Sequence, residues 1–284
     1  MKLRFLGTSA AGGYPNPHCR CENCMAARES GGKSIRMMCS VMIDDDLIID
    51  LGPDVSGACI RFGLDLSSVR WVLQTHSHGD HLLPLHASAR AASWAAKNAQ
   101  PLEWFVNSPS IDVIVEGNSK SLPKMSMEID SDVPAQLTLT TISPWQELEF
   151  GPYQVLTLPA NHASAPSPML FAIRKHGRSL LYGSDTSVLP EDFWPCVAER
   201  GRMFDVVVFD HNDGFMRSHS ATHMGSEAVL AAFDRMRELG LVNASTRLLG
   251  THIAHHSSGT HEVISDRAVA LGYDIAYDGL VVEI

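Results

Sequence analysis

Short runs of β-branched and aromatic residues, separated by clusters of turn-forming residues, set the rhythm of the first half of the chain. Leu3 to Leu6 reads as a strand, and the glycines and prolines between Gly7 and Pro17 as a loop. Ser40 to Ile43 and Leu47 to Asp50 read as a hairpin across the acidic turn Asp44-Asp45-Asp46. Asp50-Leu51-Gly52-Pro53-Asp54 ends the second of these strands, with Asp54 placed to cap a helix reaching about Phe62. Val69 to Leu73 is another apolar strand. The alanine-rich stretch from Leu82 to Ala99 has few breakers and reads as a helix covering a sheet, with His86 on it as a packing or surface residue. After a strand from Glu103 to Val106, serine, proline, methionine and acidic residues interrupt any period between about Asn107 and Pro134. Such a segment fits a pocket wall or a surface excursion equally well.

Leu137 to Ile142, Gln146 to Phe150, Tyr153 to Leu158, Met169 to Arg174 and Arg178 to Tyr182 read as a meander of strands, turning at Gly151-Pro152 and His176-Gly177. Helices are expected over Pro190 to Arg200, Met224 to Leu239 and His261 to Leu271. Strands are expected at Val206 to Phe209, Leu248 to Gly250, around Tyr273 to Ala276 and at Leu280 to Val282. No segment resembles a linker or a repeat. Strand runs followed by helices in each half predict an α+β protein of two packed β-sheets with helices outside, in one domain over 1–284.

With 284 residues and 45% hydrophobic content, the chain can build a substantial core without covalent staples. Its 32 acidic and 22 basic residues give a formal charge of −10, which weighs against broad binding to nucleic acid or an acidic membrane. No apolar run approaches the roughly 20 residues that span a bilayer. Met1 to Gly7 is too short and interrupted for a signal-peptide core, so a cytoplasmic location is expected. In that reducing setting, Cys19-Arg20-Cys21-Glu22-Asn23-Cys24 fits metal binding better than a disulfide. Three thiolates from one tight loop need a single further donor to close a tetrahedral zinc site. Cys39, Cys59 and Cys196 stand alone and read as small core residues. The glycines from Gly7 to Gly13 lack the Gly-Lys-Ser/Thr ending of a phosphate loop.

The densest chemistry is Thr75-His76-Ser77-His78-Gly79-Asp80-His81, which follows the Val69 to Leu73 strand directly. His76 and His78 are two apart and share a face, while Asp80 and His81 open the next turn. Side chains splayed in this way can serve two cations about 3.5–4 Å apart, as in two-metal hydrolytic sites. Imidazoles packed so closely would otherwise depress one another's basicity without gain. Asp50, at a neighbouring strand end, could accept a ring N–H from one of them or could simply cap its turn.

This pattern resembles the T-H-x-H-x-D-H signature of the metallo-β-lactamase-fold hydrolases, and the resemblance implies an αββα sandwich of two mixed sheets. It also implies a later lone histidine, an aspartate after a strand and a histidine near the C-terminus. His162, Asp185 and His252 stand in those places. The implied partition gives one cation His76, His78 and His162, the other Asp80, His81 and His252, with Asp185 bridging. C-x-C-x-x-C together with Thr251-His252-Ile253-Ala254-His255 is similar to the PhnP-type phosphodiesterases, named for an enzyme that opens 5-phosphoribosyl 1,2-cyclic phosphate. That likeness runs through essentially the whole chain. It implies a structural zinc on Cys19, Cys21, Cys24 and His255, with His256 and His18 as other choices for the fourth ligand.

The same family carries a histidine before the penultimate long helix that approaches the scissile phosphate. His223 matches it, with His219 as competitor and Arg217 as a phosphate contact. The implied activity is hydrolysis of a small cyclic phosphate or nucleotide-like ester by a hydroxide bridging two zinc or manganese ions. Asp80 would orient that hydroxide, and His223 would steady the transition state or protonate the leaving oxygen. The partner is then a small molecule, with no membrane and no nucleic acid, and a homodimer is compatible with this reading. Rival readings are a tRNA 3′-processing nuclease, a thioesterase or a lactonase on the same metals. A further rival is a non-catalytic accessory protein like the related pyrroloquinoline-quinone protein, in which the metal motif is eroded. β-Lactam hydrolysis is disfavoured by the lack of a signal peptide.

Overall fold

Two seven-stranded sheets lie face to face in the computed structural model, which describes residues 1–91, 96–119, 137–200, 203–216 and 220–284. The first sheet contains β1 (Lys2–Gly7), β2 (Ser40–Ile43), β3 (Leu47–Ile49), β4 (Trp71–Leu73), β5 (Leu102–Val106), β6 (Leu137–Thr141) and β14 (Val281–Glu283), ordered β14-β1-β2-β3-β4-β5-β6. The second contains β7 (Glu147–Phe150), β8 (Tyr153–Pro159), β9 (Met169–Lys175), β10 (Arg178–Gly183), β11 (Val206–Asp210), β12 (Arg247–Thr251) and β13 (Asp274–Ile275), ordered from β13 to β7. Each sheet mixes antiparallel and parallel pairs, so the expected fold class is the observed one.

Side-chain alternation explains the layers. In β11, Val206 and Val208 enter the core between the sheets, whereas Val207 and Phe209 face helices on the other side. A strand covered on both faces must be apolar throughout, and Val206 to Phe209 is. Helices α1 (Glu22–Ser30), α5 (Phe193–Arg200), α6 (Ser226–Glu238) and α7 (His261–Ala270) contribute to the outer core against the second sheet. Helices α2 (Val55–Phe62), α3 (Leu85–Ala91) and α4 (Ser108–Ser119) cover the first. No helix among the described residues is long and apolar enough to cross a membrane.

The structure corrects four expectations. Leu137 to Thr141 leaves the meander and pairs in parallel with β5 in the first sheet, so the antiparallel run is β7 to β10. Parallel pairing needs a crossover, and α4 supplies it within the segment from 107 to 134. Asn107 Oδ1 accepts from Ser110 N at 3.0 Å at the start of α4, and Pro109 falls where a helix needs no N–H partner. Asp54 makes no side-chain cap; its carboxylate accepts from Met38 N at 2.8 Å instead. The helix expected from Leu82 to Ala99 is described only as α3, and residues 96–99 are not helical. Residues 92–95 and 120–136 lie outside the described residues.

Candidate active site

Strand ends from both sheets converge on one cleft of about 390 Å³. The loop after β4 is anchored from below by Asp50, which is fully buried at the end of β3. Its carboxylate accepts from Thr75 N and Thr75 Oγ1, each at 2.8 Å, from Gln74 Nε2 at 2.9 Å and from His81 Nδ1 at 2.7 Å. Asp50 therefore supports an imidazole, the first of the two roles open from the sequence. A Cβ on Gly52 would lie 2.5 Å from the Asp80 carbonyl, so only glycine lets the Asp80 turn pack this closely on the strand end.

Donor atoms of His76, His78, His162 and Asp185 lie within 4.8 Å of one another, as do those of Asp80, His81, Asp185 and His252. These are the two sets implied by the motif, with Asp185 common to both. Its Oδ2 is 3.2 Å from His76 Nε2, 3.1 Å from His81 Nε2 and 3.6 Å from His252 Nε2. The outer ring nitrogens are held as metal-binding imidazoles need. His81 Nδ1 faces Asp50, His76 Nδ1 lies 3.0 Å from Thr75 Oγ1, and His162 Nδ1 donates to the Thr222 carbonyl at 2.9 Å.

The donor set fits divalent cations. His76 Nε2 and Asp185 Oδ1 are buried without a hydrogen-bond partner, although oppositely polarised groups lie close by. Electrostatics point the same way. Burial alone would raise the Asp80 pKa, but the His81 and His252 rings outweigh it and hold the carboxyl well below its usual range. Burial would likewise lower His81, yet Asp80 and Asp50 lift it well above the ordinary value. His76 is pushed down to about 4 by burial and by the neighbouring His81. Protons on imidazoles thus balance carboxylates inside the cluster, and cation binding would displace them.

His223 stands at the cleft wall just ahead of α6, its side chain about one-fifth exposed. Burial opposes its protonation, but Asp185 and Asp210 raise its pKa to about 9. Asp210 was missed in the sequence, where it reads as the first residue of a polar loop. It is fully buried, and the only available signal was a carboxylate ending the all-apolar strand β11. Arg217 and His219 lie outside the described residues.

The cysteine cluster gathers as the second motif implied. Cys19, Cys21, Cys24 and His255 bring donor atoms within 4.8 Å of one another, and among the alternatives His255 is the one grouped with the thiols. Cys21 caps α1, and a hydrogen bond with His255, Nδ1 to Sγ at 3.7 Å, lowers its thiol to about 6. Burial instead raises Cys24 to about 11. Asn23 Nδ2 also donates to the His255 carbonyl at 2.9 Å, so this loop grips the turn that follows His252. Three soft sulfurs and an imidazole suit zinc. Cys39 is buried as expected, Cys59 and Cys196 are partly buried, and His86 Nε2 lies 3.1 Å from the Gly52 carbonyl.

This fold, with a shared aspartate between two His/Asp donor sets, is that of a metal-dependent hydrolase. The model of the beta-lactamase superfamily domain matches residues 47–253, well over half of the chain, and the protein belongs to that superfamily. Its sequence is 24% identical to coenzyme PQQ synthesis protein B of Methylobacterium radiotolerans, over 99% of each chain. Its structure is similar to that of a diphosphatase from the PhnP family, with a TM-score of 0.72, 21% identity, and coverage of 100% of this chain and 97% of the other. Zinc-bound PqqB from Methylobacterium extorquens gives a TM-score of 0.69 at 17% identity, with both chains fully covered.

Proposed function

We propose that this protein is a cytoplasmic phosphodiesterase that hydrolyses a small cyclic phosphate or nucleotide-like ester. The observation that carries the reading is the juxtaposition of the two donor sets sharing Asp185 with His223, which lines the same cleft and belongs to neither set. His76, His78 and His162 would hold one zinc or manganese ion, and Asp80, His81 and His252 the other, with Asp185 between them. Bound there, the ions would supply activated water and charge neutralisation at phosphorus. Asp80 borders the cleft and would orient the attacking water. His223, its Nδ1 turned towards Asp210 and Asp185, keeps Nε2 for the substrate side and would give a proton to the leaving oxygen. Cys19, Cys21, Cys24 and His255 would carry a structural zinc.

The test is hydrolysis of bis(p-nitrophenyl) phosphate by protein of known metal content, with the p-nitrophenyl monoester and a diphosphate diester run alongside. Diesterase activity that falls about 10²- to 10⁴-fold in His223→Ala at unchanged metal content supports the reading. A second reading follows from the full-length sequence likeness to PQQ synthesis protein B. Inactivity on every phosphate ester at full metal occupancy would favour a role in cofactor synthesis over ester hydrolysis.

A further inference from the structure

Asp210 is the one fully buried carboxylate at this cleft, among the described residues, that belongs to neither cation set, and it stands between the two parts of the site. Its Oδ2 is 2.9 Å from His223 Nδ1 and 3.4 Å from His252 Nδ1. Its Oδ1 accepts from Asn212 N at 2.7 Å and from Met224 N at 3.3 Å. One carboxylate thus fixes the loop on both sides while receiving two imidazoles. Asp185 Oδ1 lies 3.0 Å from His223 Nδ1 but has no hydrogen-bond partner, which leaves Asp210 as the acceptor for that ring. An imidazole that gives Nε2 to a cation carries its proton on Nδ1. The Asn212 amide nitrogen, 3.3 Å from His252 Nδ1, is itself a donor, so Asp210 must accept from His252 as well.

We infer that Asp210 is a positioning residue that couples the second cation position to His223: through one oxygen it fixes the tautomer of the ligand His252 and the aim of the proton donor His223. The inference rests on the proposed phosphodiesterase reading for its kinetic half, and for its metal half only on His252 facing a cation. In the reaction, water adds to phosphorus as the P–O bond to the alcohol breaks, and the departing oxygen leaves with the proton from His223. Asp210 acts on that proton only by holding the ring. An asparagine in its place would offer N–H to two N–H donors, so both rings must turn or change tautomer.

Four proteins are compared: wild type, Asp210→Asn, His223→Ala and the double variant, with Asp210→Glu as a charge-retaining control. Manganese dissociation is read by chelator competition, and turnover on methyl p-nitrophenyl phosphate against methyl phenyl phosphate. Asp210→Asn should weaken the second manganese equivalent about 10- to 100-fold. Its turnover should fall at least about tenfold further on the phenyl ester, whose poorer leaving group needs the proton more. The double variant should be no slower than His223→Ala, and Asp210→Glu should retain more metal affinity than Asp210→Asn. Unchanged manganese affinity in a folded Asp210→Asn, losses that multiply in the double variant, or equal loss with Glu and Asn would each overturn the inference. A wild type inactive on both diesters defeats the phosphodiesterase reading, and the manganese measurement then decides the role of Asp210 alone.

Discussion

Asp50→Asn separates what the carboxylate does for His81 from what it does for the fold. The residue sits at φ 66°, a left-handed conformation that asparagine tolerates as well as aspartate, so the change adds no backbone strain. Asparagine keeps one oxygen, enough for Thr75 N and Thr75 Oγ1, but turns N–H towards His81 Nδ1, now 2.7 Å from the second oxygen. The ring can meet that donor only by moving its own proton to Nε2, the atom that faces Asp80 and Asp185. A cation would have to expel that proton and restore an N–H to N–H clash. Loss of a supporting partner of this kind costs 10–100-fold in affinity, and here the upper end is expected, about 2.7 kcal/mol. Manganese titration against a chelator reads the active site selectively, because soft thiolates do not favour that ion. Long-range ¹⁵N–¹H correlations of the imidazoles report the tautomer directly. An Asp50→Asn protein that held its second equivalent within about threefold of wild type, with His81 still protonated on Nδ1, would refute the reasoning.

Cys24→Ser should cost about one zinc per chain and lower the unfolding midpoint even with the catalytic positions saturated with manganese, because the thiol is buried between α1 and the turn after His252. Metal analysis with thermal denaturation checks both halves. Asp278 makes a pH prediction. Burial outweighs its hydrogen bonds from Met37 N and Thr8 Oγ1 and raises its carboxyl from 3.8 to about 6. The folded state then holds this proton more tightly than the unfolded chain does. Stability from this group is complete below about pH 4 and is lost as pH rises through about 6, a change of about 3 kcal/mol. Between pH 4 and 7, wild type should lose that much stability relative to Asp278→Asn in denaturant titrations; parallel curves would contradict the assignment.

The donor sets were legible because their residues sit in a run too dense for any other purpose, and order along the chain then selected His162, Asp185 and His252. What stayed hidden depends on contacts between distant segments. Asp210 is one aspartate among several in a polar stretch until the fold buries it beside His223 and His252. The pairing of β6 could not be read from Leu137 to Thr141, whose alternation suits either sheet. It was decided by α4, which lay concealed behind Ser108-Pro109. Asp54 has the chemistry of a cap but meets Met38 N first. Local pattern chose the elements well and their partners less well, since partners are set by packing.

Backbone geometry adds a feature no pattern could carry. Asp50, Asp185 and His252 all adopt positive φ, at 66°, 58° and 59°, each at or just beyond the end of a strand. Such conformations cost about 1–3 kcal/mol apiece and persist only where the surroundings impose them. Here they turn three side chains sharply off the ends of three strands, one from the first sheet and two from the second, towards a common point. His76, His78, Asp80 and His81 come from the first sheet, and His162, Asp185 and His252 from the second, so each cation position takes donors from both. Filling those positions therefore ties the strand-end edges of the two sheets together, while the apolar layer between them holds the rest. The strain is maintained by that layer, and the site is kept in shape before any cation arrives.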